Sequence, residues 1–264
     1  MTRDEQWLLE EKYGLTASGL AQADGRAGAA FEDDRKRLAA GEPLAYIIGY
    51  QPFLGLNIYL DSHPLIPRPE TEWWTEQLLL NLAVEPPSEP QLGGSTAKLE
   101  FLDICAGSGA IGCAALAKLP DAQVYFGEID PAHETTIRKN IRENHLDESR
   151  ADVRIGDLFA PFGALKFDVI AANPPYVPAA RELPRSVADH EPPLALLAGE
   201  DGLNIIRRIA AELPNRLAPG GVAWIECDSA AAADAQKLFA ARGLRAEIRT
   251  DQYGKPRVIV VSFP

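Results

Sequence analysis

Hydrophobic positions along the chain change texture twice. Residues 1–40 carry loosely spaced apolar groups, Trp7, Leu8, Leu9 and Tyr13, followed by an Ala-rich polar stretch from Ala27 to Ala40. This predicts a small helical lead-in without a large core of its own. From Pro43 the residues turn aromatic and β-branched, YIIGYQPFLGLNIYLDSHPLIP, with Gly49 and Gly55 placed for a hairpin. A helix is expected from about Glu70, with Trp73, Trp74, Leu78 and Leu79 on its inner side. VEPPSEPQLGGSTAK, residues 84–98, is rich in Pro, Gly and Ser and is expected to be a linker.

Beyond the linker, short apolar runs alternate with helical stretches. The strand candidates are residues 99–105, 123–129, 152–155, 167–172, 221–227 and 257–263; the helical ones are 110–118, 131–144, 202–217 and 229–242. Near-continuous apolar strands between helices predict an α/β fold, a mostly parallel sheet covered on both faces. The expected organisation is a helical segment over 1–42, a hairpin and helix over 43–83, the linker, and an α/β domain over 99–264.

Composition narrows the function. With 26 Lys and Arg against 38 Asp and Glu, the net charge is −12. That balance argues against stable nucleic-acid binding, which depends on neutralising phosphates. Cys105, Cys113 and Cys227 show no metal-ligand spacing and cannot form a disulfide framework. The acidic start MTRDEQWLLEEKYGL lacks the pattern of a secretory signal, and no apolar run is long enough for a membrane span. A cytoplasmic monomer without bound metal is expected.

The first α/β strand ends in Asp103-Ile-Cys105-Ala106-Gly107-Ser108-Gly109-Ala-Ile-Gly112 and runs into a helix. Such a turn lets backbone approach a ligand and presents helix N–H groups. Glu128 ends the second strand, placed to accept hydrogen bonds from ribose hydroxyls. NAD(P) and S-adenosylmethionine both fit that pattern. Asp103 tilts the choice toward the second, since a carboxylate at the turn suits an ammonium better than a pyrophosphate.

The strand FDVIAA leads directly into Asn173-Pro174-Pro175-Tyr176, at the edge where open α/β sheets bind ligands. Two prolines hold the backbone stiffly. An amide oxygen and a neighbouring carbonyl then make two fixed acceptors for one planar –NH₂ group, and Tyr176 offers an aromatic face. This device orients a weak nitrogen nucleophile, which suits methyl transfer. It gives the oxidoreductase alternative no use for these residues. An adenine-N6 nucleic-acid methyltransferase fits them but calls for a basic groove.

With Leu65-Ile-Pro-Arg68-Pro-Glu70-Thr71-Glu72 upstream and His190-Glu191-Pro-Pro…Gly199-Glu200-Asp201-Gly202-Leu203 downstream, the chain resembles the N5-glutamine methyltransferases that modify peptide chain release factors. Pro43-Leu-Ala-Tyr46-Ile-Ile-Gly49 and Asp251-Gln-Tyr-Gly254-Lys-Pro-Arg257 fit the same family. The resemblance implies a class I, Rossmann-like sheet of seven strands with the last antiparallel. It also implies S-adenosylmethionine as cofactor, contacted by Cys105 to Gly109, Glu128, Leu158 and Asn173, and substrate contacts at Asn173 to Tyr176. Asp157 is then placed for the adenine amino group, with Leu158 on the ring. The implied substrate is the exposed Gly-Gly-Gln loop of a release factor, with a ribosomal-protein glutamine as the nearer alternative. The family usually has Gly and Thr where Cys105 and Ala106 stand, and this exchange of small residues is expected to be tolerated. It also has a longer helical bundle ahead of the YIIG element.

Among other residues, Trp73 and Trp74 are expected to pack on the core, and Arg68 and Glu70 to line the crevice in a non-helical Pro-x-Pro segment. Glu200-Asp201 would cap a helix from Gly202. Cys227 would pack in a strand, and none of the four histidines is assigned as a base.

Overall fold

The computed structural model describes residues 1–20, 25–84 and 98–264. Four helices come first: α1 (Arg3–Tyr13), α2 (Ala17–Leu20), α3 (Gly25–Ala39) and α4 (Leu44–Ile48). Thr2 begins α1 with a reciprocal capping box to Glu5, and Gly14 ends it in a left-handed conformation. Their common core is small, Leu8, Leu9, Phe31 and Ile47. Trp7 stays outside it, 38% exposed.

Strands β1 (Tyr50–Phe53) and β2 (Leu56–Tyr59) pair antiparallel as the expected hairpin, and α5 (Pro69–Val84) follows. The predicted linker falls almost wholly outside the described residues. The helix takes Pro69 into its first turn, so Glu70 is helical and only the residues up to Arg68 are extended.

The main sheet has β3 (Leu99–Ile104), β4 (Ala122–Glu128), β5 (Ala151–Ile155), β6 (Phe167–Ala172), β7 (Leu217–Glu226), β8 (Arg245–Thr250) and β9 (Pro256–Ser262). Their order is β5-β4-β3-β6-β7-β9-β8. All neighbours are parallel except β9, which runs antiparallel between β7 and β8. This is the seven-stranded class I arrangement, with the last strand reversed. Sequence pattern missed β8 because RAEIRT is exposed at both ends and half-buried between, with no apolar run.

Helices α6 (Ala110–Lys118) and α7 (Glu134–Glu143) join α5 and the hairpin on one face, where Phe101, Val124, Phe126 and Val169 point. On the other face α10 (Asn204–Arg216) and α11 (Ala232–Ala240) cover Leu102, Ile104, Ile170 and Ile225. Between β6 and α10 lie the short helices α8 (Arg185–Ala188) and α9 (Pro193–Leu196). Cys227 is wholly buried in this second core, as expected.

Propagation of the sheet reverses at β3, whose neighbours are β4 on one side and β6 on the other. Such a switch point opens a crevice beyond the strands' carboxyl ends. Register fixes what stands there. Ile104 pairs with both Gly127 and Ala172, so Cys105, Glu128 and Asn173 leave adjacent strands at one level. Glu128 in turn pairs with Ile155, bringing Gly156 and Asp157 to the same rim.

Among the described residues no helix is long and apolar enough to cross a membrane, and no group of His, Cys, Asp and Glu could hold a metal ion.

Candidate active site

A single cavity runs along that rim. Its wall carries Cys105, Ala106, Gly107 and Ser108 of the glycine turn, Glu128 and Asp130 after β4, Asp157 and Leu158 after β5, and Asn173 and Pro175 after β6. Leu65, Pro67 and Thr71 close it on the hairpin side; Pro192, Leu194 and Ala195 close it from α9, and Arg208 from α10. Segments separated by more than a hundred residues in sequence therefore share one chamber.

The glycine turn is strained at a residue other than glycine. Cys105 has φ +61°, a left-handed conformation that costs a side chain roughly 1–2 kcal/mol. A glycine would adopt this conformation without that cost. Burial, then the charge of Glu128, pushes the Cys105 thiol up and keeps it protonated. Gly112, one turn into α6, lies so close to β4 that a Cβ would come 2.2 Å from the Phe126 ring. A side chain there would push the helix off the sheet.

Glu128 is 6% exposed and already organised: Oε2 accepts from Gly107 N at 2.7 Å and Oε1 from Asp130 N at 2.8 Å. Each oxygen keeps a lone pair for a ligand donor. Asp157 faces the cavity with Oδ2 accepting from Arg208 Nη2 at 2.6 Å. Leu158, 7% exposed with φ +47°, lies beside it. Arg208, 51 residues from its partner, had no local signal. Neither had His133, whose Nδ1 lies 2.8 Å from Ser62 Oγ while the ring lines the cavity.

Several expected site residues stand elsewhere. Asp103 is fully buried beneath the turn, not at its surface, and Oδ2 accepts from Gly112 N at 2.8 Å. Burial chiefly, with repulsion from Glu128 added, pushes its carboxyl up to about 8. It therefore fastens the turn to α6 and cannot face a ligand ammonium. Gly109, φ +78°, begins α6 with its Cα packed toward Ile137 and Phe126. Arg68 and Glu70 are also off the cavity wall: Arg68 Nη2 donates to Glu191 Oε1 at 2.5 Å, and Glu70 rides the first turn of α5.

In NPPY only Asn173 and Pro175 reach the cavity wall. Pro174 is buried, and Tyr176 turns its hydroxyl to Glu226 Oε1 at 2.9 Å. Glu226 is 0% exposed at the end of β7. Its Oε2 accepts from Trp74 Nε1 and from Thr71 Oγ1, each at 2.7 Å. Burial raises the Glu226 carboxyl in spite of these donors. Burial, then the Glu226 charge, lifts Tyr176 well above the ordinary phenol range. Trp74 does pack on the core, stacked against Trp224 at 6.4 Å, but its indole N–H also serves this carboxylate. Thr71 completes the link by accepting from Asn173 Nδ2 at 3.1 Å.

The remaining motifs lock these parts together. Glu191, 3% exposed, also accepts from Ile66 N at 3.2 Å, and Tyr46 donates to Pro64 O at 2.7 Å. Asp201 makes a turn onto Leu203 N at 3.1 Å ahead of α10, instead of capping a helix from Gly202. On α7, Asn140 both accepts from Tyr59 N (2.7 Å) and donates to Tyr59 O (3.0 Å) and Ser108 O (2.9 Å). One turn on, Asn144 exchanges the same pair of bonds with Asn57 at 2.9 Å. Two side-chain amides thus dock the hairpin edge and, through Ser108, the glycine turn.

Comparison with known proteins decides the family. Residues 90–189 match the methyltransferase small domain. Over 97% of its length the chain is 33% identical to the release factor glutamine methyltransferase of Deinococcus radiodurans, covering 89% of that protein. The chain belongs to the release factor glutamine methyltransferase family. The Mycolicibacterium smegmatis member is 32% identical over 98% of this chain and 89% of its own length. The Chlamydia trachomatis serovar L2 member is 36% identical over 79% and 68%. A solved methyltransferase structure from Pyrococcus furiosus matches 87% of this chain and 97% of its own with a TM-score of 0.52 at 15% identity, a likeness of fold.

Proposed function

We propose that this chain methylates the side-chain amide nitrogen of a glutamine in the Gly-Gly-Gln loop of a peptide chain release factor, with S-adenosylmethionine as donor. The observation that carries the reading is the single cavity in which the glycine turn and Glu128 share walls with Asn173.

The ionisable groups on that wall fit the donor. Glu128, Asp130 and Asp157 stand against the His133 imidazole and one guanidinium, Arg208, which is itself paired with Asp157. A cavity of this sign favours a sulfonium and an ammonium and repels a pyrophosphate. The electrostatic reason for S-adenosylmethionine over NAD(P) thus rests on these three carboxylates, and Asp103 has no part in it. When bound, S-adenosylmethionine supplies an electrophilic methyl group. Glu128 would hold its ribose hydroxyls, Asp157 the adenine amino group with Leu158 against the ring, and Cys105 to Gly109 the methionine portion.

Asn173 Oδ1 would accept a hydrogen of the substrate amide, fixing the nitrogen in the reactive direction, whereas Pro174, expected to supply the second acceptor, is buried and off the cavity wall. Orientation of this kind can supply a large part of the rate. No side chain is assigned as a base, because the amide nitrogen becomes acidic once it has acquired its fourth bond. Pro175 bounds the slot, and Tyr176 shapes it from behind, anchored on Glu226. The charge of −12 favours a protein substrate over a nucleic acid, and a cytoplasmic monomer fits a translation-factor target. Mass spectrometry of release factor incubated with the chain and S-adenosylmethionine tests the proposal.

A further inference from the structure

For Asn173 to accept from a substrate –NH₂ group, its carboxamide must face the cavity oxygen-first. Nothing in an isolated asparagine enforces that, because its two ends are nearly the same shape. The surroundings of Asn173 supply the missing instruction. An indole N–H can only donate, so the Trp74 bond makes Glu226 Oε2 an acceptor. Thr71 Oγ1 sits 2.7 Å from the same oxygen and must give it the hydroxyl proton. With that proton committed, the Thr71 oxygen can only accept, and Asn173 Nδ2 lies 3.1 Å away to donate. Among the described residues Oδ1 of Asn173 has no protein partner.

We propose that Thr71, held by Glu226 and Trp74, is a positioning residue that sets the facing of the Asn173 carboxamide and so presents Oδ1 to the substrate. The inference rests on the glutamine-methyltransferase reading above. A Thr71 hydroxyl released from Glu226 could rotate and donate to Oδ1. The carboxamide would then turn its own NH₂ toward the substrate NH₂, donor against donor. The relay also withstands protonation of Glu226. Both lone pairs of Oε2 are taken by Trp74 and Thr71, so an added proton would sit on Oε1, toward Tyr176.

Thr71→Val keeps the shape and removes the hydroxyl. It is expected to lower kcat by about 100-fold. S-adenosylmethionine affinity by calorimetry should stay within about twofold and KM for release factor change far less than kcat. Thr71→Ser restores the hydroxyl and should recover most of the turnover. In ¹⁵N spectra the Asn173 side-chain NH₂, bonded on one hydrogen in the parent chain, should shift and exchange faster in Thr71→Val. The relay is overturned if Thr71→Val keeps parental turnover, if weaker cofactor binding accounts for its whole defect, or if Thr71→Ser is equally impaired. A parent chain that methylates no release factor sinks the functional reading instead. The Asn173 amide signals then still decide the relay, and signals unchanged in Thr71→Val would refute it.

Discussion

Gly202 lies directly against the backbone carbonyl of Tyr176. A Cβ on Gly202 would stand 2.3 Å from that oxygen, and its φ of +75° is already in the region that side chains avoid. The GEDGL segment and NPPY are therefore one packed unit. Gly202→Ala is expected to displace the NPPY loop, with a conformational cost of roughly 1–2 kcal/mol before any steric term. Turnover should fall while S-adenosylmethionine affinity changes little. A variant with parental kcat and Tm would show that the contact relaxes without moving the loop.

Asn140 is the buried tie between the hairpin and the glycine turn, with three bonds to backbone. Asn140→Ala leaves those groups unpartnered and should cost about 3 kcal/mol. Asn144→Ala, at the exposed end of the same ladder, should cost about 1 kcal/mol because water replaces its bonds. Urea unfolding of both variants checks the order. Equal losses would contradict it.

Asp103 makes stability depend on pH in a definite direction. Its native carboxyl is raised to about 8 from an ordinary 3.8. Below about 4 both states hold the proton. Between about 4 and about 8 the unfolded chain releases it and the native chain keeps it, so this group's contribution falls as pH rises. Asp103→Asn removes the titration. Between pH 5 and 8 it should lose less stability than the parent, by roughly 3–4 kcal/mol. Parallel pH curves for the two proteins would refute a buried, proton-bearing Asp103.

Glu128→Ala removes the carboxylate that would meet the ribose and frees Gly107 N and Asp130 N. Calorimetry should show S-adenosylmethionine binding weakened by about 1–3 kcal/mol. Turnover at saturation should be largely kept. NAD(P) binding to the parent chain, with none for S-adenosylmethionine, would point to the wrong nucleotide.

Much of this was legible in the chain because it is local. Apolar runs marked β3, β4, β6 and β7; Glu128 closes β4, Asn173 directly follows β6, and Gly107 stands in the turn after β3. What pattern could not reveal comes from distance. Thr71 and Glu226 are 155 residues apart, and Arg208 meets Asp157 only because α10 crosses the sheet's rim. The misplacement of Asp103 has a related cause. A strand's last residues alternate faces, and only the packed helix decides which carboxylate is sealed in.

Tandem mass spectrometry of a release factor, after incubation with the chain and methyl-labelled S-adenosylmethionine, bears most directly on the central claim. One methyl on the glutamine of the Gly-Gly-Gln loop, lost in Asn173→Ala although that variant still binds S-adenosylmethionine, is the predicted result. An unmodified release factor, or label transferred to a nucleic acid instead, would contradict it.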